Sequence, residues 1–144
     1  MIAALATARS GLLASVARLN AGAANMANGR TTGPVPPTPA SEPVPDSTRG
    51  VPRVYQPVEV LRSIGGAGPP AGVSATTRPR LPAYARQYDP SAPFADAEGF
   101  VAAPNVDLAA EAVDVLAASL SFRANLAVFR AADEMAKRTL DMSA

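Results

Sequence analysis

The chain has no histidine, no cysteine and no tryptophan. It therefore lacks the usual ligands of zinc and iron–sulfur sites, the side chain that shuttles protons at neutral pH, and any thiol nucleophile or disulfide. An enzyme built from this composition would have to work with carboxylates, arginines, hydroxyls and a single lysine. No cofactor and no metal are expected. Charge of one sign is scarce as well. Thirteen basic residues against twelve acidic ones leave a net charge of +1, with neither a basic tail nor an acidic run, so no nucleic-acid partner is expected. A long unbroken apolar run is missing at the start, where Arg9 and Arg18 interrupt the apolar stretch and no positive segment precedes it. Neither a cleaved signal peptide nor direct membrane insertion is expected.

Proline is confined. All 15 prolines lie between Pro34 and Pro104, and after Pro104 there is no glycine either. The two proline-free ends carry the same periodicity. Toward the C-terminus, Leu108, Val115, Phe122, Phe129 and Ala136 fall seven apart, and Ala112, Ser119, Leu126, Asp133 and Leu140 follow each by four. This is a heptad stripe, and the row Val113, Leu116, Leu120, Ala127 is expected to widen it into the buried face of a bundle helix. Asn105 or Asp107 offers the N-cap oxygen. Lys137 and Arg138 complement the helix dipole near the end. Asp133–Lys137 and Glu134–Arg138 are acid-to-base pairs in the favoured order. A helix over 108–144 follows, a rod of roughly 50 Å. At the other end, Leu5, Leu12, Leu19 and Met26 are seven apart, with Val16 and Ala23 between, predicting a helix over 1–29. Gly11 and Gly22 weaken it by about 1 kcal/mol each but permit close approach of a neighbouring backbone. Asn25, Asn28 and Gly29 supply the stop signal.

The material between is of another kind. Residues 33–53 have no apolar periodicity and read as an extended, mobile linker. Residues 54–61 are strand-like, with Pro57 confining them to an edge. The glycines at 65, 66 and 68 make a turn, and 72–77, extended by 78–85, forms a second weak strand, giving a small hairpin that must lean on the helices or on a neighbour. The glycine run is no phosphate loop, since the lysine and the following helix start are missing. Residues 88–107 form a shaped loop: Asp89-Pro90 and Ala92-Pro93 force turns, Gly99 is free to take positive φ, and Phe94, Phe100 and Val101 anchor it. Asp89, Asp96 and Glu98 read as turn chemistry; a carboxylate cluster for metal or acid–base work is the rarer reading. The fold class is mainly α: an antiparallel pair of long N- and C-terminal heptad helices, coiled-coil or bundle in packing, around a proline-rich, partly extended middle region carrying a small β-hairpin. Its regions are 1–29, 30–87, 88–107 and 108–144.

A resemblance sharpens this. The run Tyr88-Asp89-Pro90-x-x-Pro93-x-Ala95-Asp96-Ala97-Glu98-Gly99-Phe100-Val101-x-x-Pro104-Asn105-Val106 resembles the signature of the FlgC-type proximal rod family of the bacterial flagellar basal body. Ala118-Ser119-x-x-Phe122-x-Ala124-Asn125 and Lys137-x-Thr139-Leu140 continue the likeness. Ser10-Gly11-Leu12, Arg18-Leu19-Asn20 and Ala24-Asn25-Met26-Ala27-Asn28-x-x-Thr31-Thr32 are similar to the N-terminal signature shared by rod, hook and related axial proteins. In the middle the chain departs from the family, where a proline-rich tract replaces a short polar stretch and a strand pair. A standard rod protein and a paralogue from a second flagellar system both fit that departure.

The resemblance implies a non-enzymatic structural subunit. Its terminal helices would assemble into the periplasm-spanning rod, which acts as a drive shaft and transmits torque. Its partners would be other rod proteins, further copies of itself, the basal-body base (MS ring and rod adaptor) and the flagellar type III export apparatus, with export needing no cleaved signal peptide. The expected subunit-interface residues are Leu12, Val16, Leu19, Asn25, Asn28, Phe122, Asn125, Leu126 and Phe129. The loop signature is Tyr88, Asp89, Pro90, Asp96, Glu98, Gly99, Pro104 and Asn105. The same heptads would also serve a helical-hairpin adaptor or chaperone-like protein that binds a partner helix; the shaped loop favours the rod.

Overall fold

The computed structural model describes residues 2–45, 53–65 and 72–142. In chain order they form α1 (Ile2–Asn28), β1 (Val58–Gly65), β2 (Gly72–Pro79), β3 (Tyr84–Tyr88), β4 (Phe100–Pro104) and α2 (Leu108–Asp141). The chain divides into two compact units, one made of Met1–Asn20, Val60–Thr77 and Val113–Ala144, the other of Ala21–Glu59 and Arg78–Ala112.

In the first unit α1 and α2 run antiparallel. Gly11 faces Asn125, and Arg18 Nη2 reaches Asp114 Oδ1 at 3.4 Å. The seven-residue period holds, but the most enclosed positions are small: Ala8, Ala14 and Ser15 on α1, Ala118 and Ala132 on α2. Leu12, Leu19, Val115, Phe122, Leu126 and Phe129 are half-buried, and Val16 is exposed. This corrects the expected stripe. Alanine and serine at the closest approach let the backbones come together, and the large side chains flank them. The row Val113, Leu116, Leu120, Ala127, expected to widen the buried face, is exposed; it lies on the far side of α2 from Ala118 and Ala132. Both helices contain an 18-residue window apolar enough to cross a membrane by length and composition alone, so Arg9 and Arg18 do not exclude a span on that criterion, contrary to expectation.

β1 and β2 form a two-stranded sheet. Ser63 and Ser74 share a 2.6 Å hydroxyl contact, and the Val73 N–H donates to Ser10 Oγ on α1 at 3.0 Å. The expected hairpin exists, but its first strand begins at Val58, later than expected, because Pro57 has no N–H to place in a ladder. The expected turn at 65–68 falls largely outside the described residues.

The second unit is built on β3 and β4, antiparallel from Tyr84↔Pro104 to Tyr88↔Phe100. This sheet is a second correction: residues 84–85, expected to extend the hairpin, belong to a separate strand, and 100–104, expected as loop, are strand. Their alanines carry little β-propensity, and the pairing follows from the shaped loop over 89–99 that brings the two runs together. Val54, Ala83, Tyr84 and Ala102 make the core, with Val35, Ala40 and Val44 packed against it. The tract expected to be a mobile linker is held down over 33–45. Gly33 exchanges two 2.9 Å backbone hydrogen bonds with Ala102, the Tyr84 hydroxyl donates to Thr38 O at 2.6 Å, and the Val44 N–H donates to Gln56 Oε1 at 2.8 Å. Its order comes from distant partners, which no local periodicity announces. The largest fully buried side chains are Val54, Val101, Asn25 and Pro57. No leucine or phenylalanine is among them: the described ones, whose full burial would stabilise by about 1.5–3 kcal/mol each, are half-buried or exposed.

Candidate functional site

The loop after β3 is shaped by two aspartates. Asp89 Oδ1 accepts from the Ser91 hydroxyl at 2.6 Å and the Ser91 N–H at 3.2 Å, as expected of an aspartate opening a turn. Asp96 Oδ1 accepts from the N–H groups of Phe100 at 2.7 Å and Glu98 at 3.1 Å, and Asp96 Oδ2 takes Arg86 Nη2 at 2.7 Å. These contacts, the Phe100 N–H foremost, hold the Asp96 carboxyl below its ordinary value; partial desolvation opposes them, and Arg86 adds to the lowering. Gly99 has φ +83°, and a β-carbon there would lie 2.9 Å from the Tyr88 ring and 3.1 Å from Pro90, so both the conformation and the space require glycine. Tyr88 meets Phe100 edge to face at 5.5 Å, and the Arg86 guanidinium sits 4.4 Å above the Phe100 ring. Glu98 is exposed, and Pro90 packs beside Gly99. The carboxylates thus serve turn geometry: Asp89 and Asp96 spend their oxygens on Ser91, Arg86 and main-chain N–H groups. No cluster of three or more potential metal ligands occurs among the described residues.

The loop delivers the chain into α2. Asp107, of the two candidates, is the N-cap: its Oδ1 accepts from the N–H groups of Ala109 at 2.9 Å and Ala110 at 3.1 Å. Asn105 instead ties β4 back, donating from Nδ2 to Pro82 O at 3.1 Å, while Pro104 ends the strand in a buried position.

Asn25 corrects its expected role. It is fully enclosed and cannot be reached by another subunit in this conformation. Its Nδ2 donates to Val58 O at 2.8 Å, and its Oδ1 accepts from the Val58 N–H and from the Tyr55 hydroxyl, both at 3.0 Å. Asparagine can do this because one carboxamide offers a donor and an acceptor side by side, matching the main-chain pair of a strand residue. Near it stands a group that sequence reading missed. Glu111, in the first turn of α2, is buried, with Arg80 Nη1 2.6 Å from its Oε1; that oxygen has no aligned hydrogen bond, so the contact is coulombic. Burial, and then the negative charge of Glu111, push the Tyr55 hydroxyl pKa up. The signal for Glu111 was its place at heptad spacing from Ala118, Asn125 and Ala132, one position before the slot assigned to Ala112.

Of the other expected interface residues, Asn28 donates to Ala24 O at 2.9 Å and Asn125 to Ser121 O at 2.8 Å; both are half-buried. Leu12, Leu19, Phe122, Leu126 and Phe129 flank the α1–α2 contact in the first unit. On the back of α2, Val113, Leu116, Leu120, Val128 and Met135 are each more than half exposed. These positions follow one another at three, four, eight and seven residues, all helical spacings, so they form one apolar strip.

Residues 97–142 match the family described as flagellar basal body rod FlgEFG protein C-terminal. The flagellar basal-body rod protein FlgC of Aquifex aeolicus is 32% identical over 143 residues, covering 96% of this chain and 93% of that protein. The protein of the same name from Salmonella typhimurium is 42% identical over 55 residues, which cover 38% of this chain and 41% of that protein; the one from Bacillus subtilis is 40% identical over 55 residues, covering 38% and 37%. The match thus spans about two-fifths of the length of the Salmonella relative and nearly all of the Aquifex one. The chain belongs to the FlgC family of flagellar basal-body rod proteins.

Proposed function

We propose that this member of the FlgC family is a structural, non-catalytic subunit of the flagellar rod. It assembles through α1 and α2 with other rod proteins and with further copies of itself into the drive shaft that transmits torque across the periplasm. Its base-side neighbours are the MS ring and rod adaptor, and it reaches the site through the flagellar type III export apparatus. The observation that carries this reading is the apolar strip on the back of α2. A chain that encloses alanines and leaves Val113, Leu116 and Leu120 in solvent keeps its strongest hydrophobic contacts for neighbours, and heterologous contacts that repeat without closing build a tube. Leu12, Val16, Leu19, Asn28, Phe122, Asn125, Leu126 and Phe129 take part at the flanks of the helix pair. A helical-hairpin adaptor would use the same strip for one partner helix, in a small closed complex.

The test is replacement of Leu116 and Leu120 by glutamate in a strain that depends on this chain for swimming. Both side chains are exposed, so the isolated protein keeps its far-ultraviolet circular dichroism. The expected result is loss of the chain from purified basal bodies and loss of swimming. Swimming cells with the doubly substituted chain in their rods would overturn the reading.

A further inference from the structure

The outer edge of β1 is open, and its geometry can be followed residue by residue. Val58 turns both main-chain groups to Asn25, donating from N–H to Oδ1 and accepting from Nδ2. Alternate residues of an antiparallel strand point their main-chain groups to the same side, so Val60, Arg62 and Ile64 direct theirs the way Val58 does, away from β2. The partner strand agrees. The Val73 N–H, opposite Ile64, goes to Ser10 Oγ rather than to β1, and Pro79, opposite Val58, has no N–H to give. Glu59–Arg78, Ser63–Ser74 and Gly65–Gly72 step along the two strands in opposite directions without a slip, so no bulge reverses the alternation.

Among the described residues, nothing hydrogen-bonds to the outward main-chain groups of Val60, Arg62 or Ile64. The Arg62 side chain is exposed with no carboxylate partner there, and Ile64 is 86% exposed. Asn25 thus occupies the first rung of an edge whose next three rungs are vacant, and an open edge is a template for another strand.

We propose that this edge takes an extended segment of a different rod subunit as an added strand along Val60–Ile64, with a carboxylate of that segment set against Arg62. The inference rests on the rod reading. Main-chain hydrogen bonds supply the attachment, and the side chains at alternate positions select the partner. A second copy pairing through the same edge is disfavoured twice. Antiparallel pairing centred on Arg62 sets two guanidiniums opposite each other, and like charges in that position repel. Such a two-fold contact also closes on itself, whereas a rod needs contacts that continue.

The experiment uses the full chain in assembled basal bodies. Because the sequence has no cysteine, Ile64→Cys provides a single thiol, which is loaded with a maleimide–benzophenone photocrosslinker and analysed by mass spectrometry after irradiation. The expected adduct is to an extended, carboxylate-bearing segment of another rod protein. Adducts only to further copies of this chain, or none, overturn the proposal. In parallel, Arg62→Glu reverses the charge and Arg62→Pro removes an outward N–H that the hairpin ladder does not use. Each should lower incorporation by about tenfold or more, the loss corresponding to one or two such contacts, while Arg62→Lys stays near wild type. Wild-type incorporation of Arg62→Glu and Arg62→Pro defeats this inference alone; absence of the unaltered chain from basal bodies defeats the rod reading beneath it.

Discussion

The carboxamide of Asn125 occupies the space that a β-carbon on Gly11 would need. The side chain is short and is tied by its Nδ2 to Ser121 O at 2.8 Å, so it cannot swing aside freely. Gly11→Ala should therefore destabilise the protein by about 1–3 kcal/mol through overpacking, outweighing the gain of about 1 kcal/mol in helix propensity. In an Asn125→Ala background the clash is gone, and the same substitution should stabilise by up to about 1 kcal/mol. Urea unfolding followed by circular dichroism reads the change of sign; equal effects in both backgrounds would show that the two residues do not share this space.

Asn25 satisfies both main-chain groups of Val58 and the Tyr55 hydroxyl. Asn25→Ala leaves buried polar groups without partners, at about 1–3 kcal/mol for each that water cannot reach. Asn25→Asp keeps the acceptor, loses the donor and encloses a charge, so it should be at least as damaging. Amide hydrogen exchange at Val58 is the direct readout: protection should fall in both variants.

Gly99 sits at φ +83° against Tyr88 and Pro90. Gly99→Ala should cost about 1–3 kcal/mol from the backbone conformation alone, and should loosen the Tyr88–Phe100 contact. Nuclear magnetic resonance shifts of the two rings report that loosening; unchanged ring shifts would mean that the loop accepts a side chain.

Asp96 gives a pH dependence. Its folded-state pKa lies below the ordinary 3.8, chiefly through the Phe100 N–H and also through Arg86. A depressed carboxyl contributes stability that is fully present above its unfolded pKa and is lost as the pH falls through the folded one. The loop should therefore loosen on acidification below about pH 4. Arg86→Ala should raise the Asp96 pKa only part of the way, because the Phe100 and Glu98 N–H groups remain. A carboxyl-carbon titration of both proteins measures this; a complete return to the ordinary value would reassign the main cause to Arg86.

The chain alone determined that two proline-free ends are helices with a seven-residue period, because alanine- and leucine-rich stretches without breakers state their conformation locally. It also determined the need for glycine at the Glu98-Gly99 turn, and the family, since motif residues at turn positions are specific one by one. Periodicity could not say which neighbouring row meets the partner helix. Ala118 and Ala132 were chosen over Ser119 and Asp133 by how closely two backbones can approach, a property of the pair. Nor could local pattern show that residues 33–45 are held by Ala102, Tyr84 and Gln56, that Asn25 turns inward to Val58, or that Glu111 is buried beside Arg80. Each of these depends on residues 12 to 69 positions away in the chain, and only the tertiary structure brings such partners within hydrogen-bond reach.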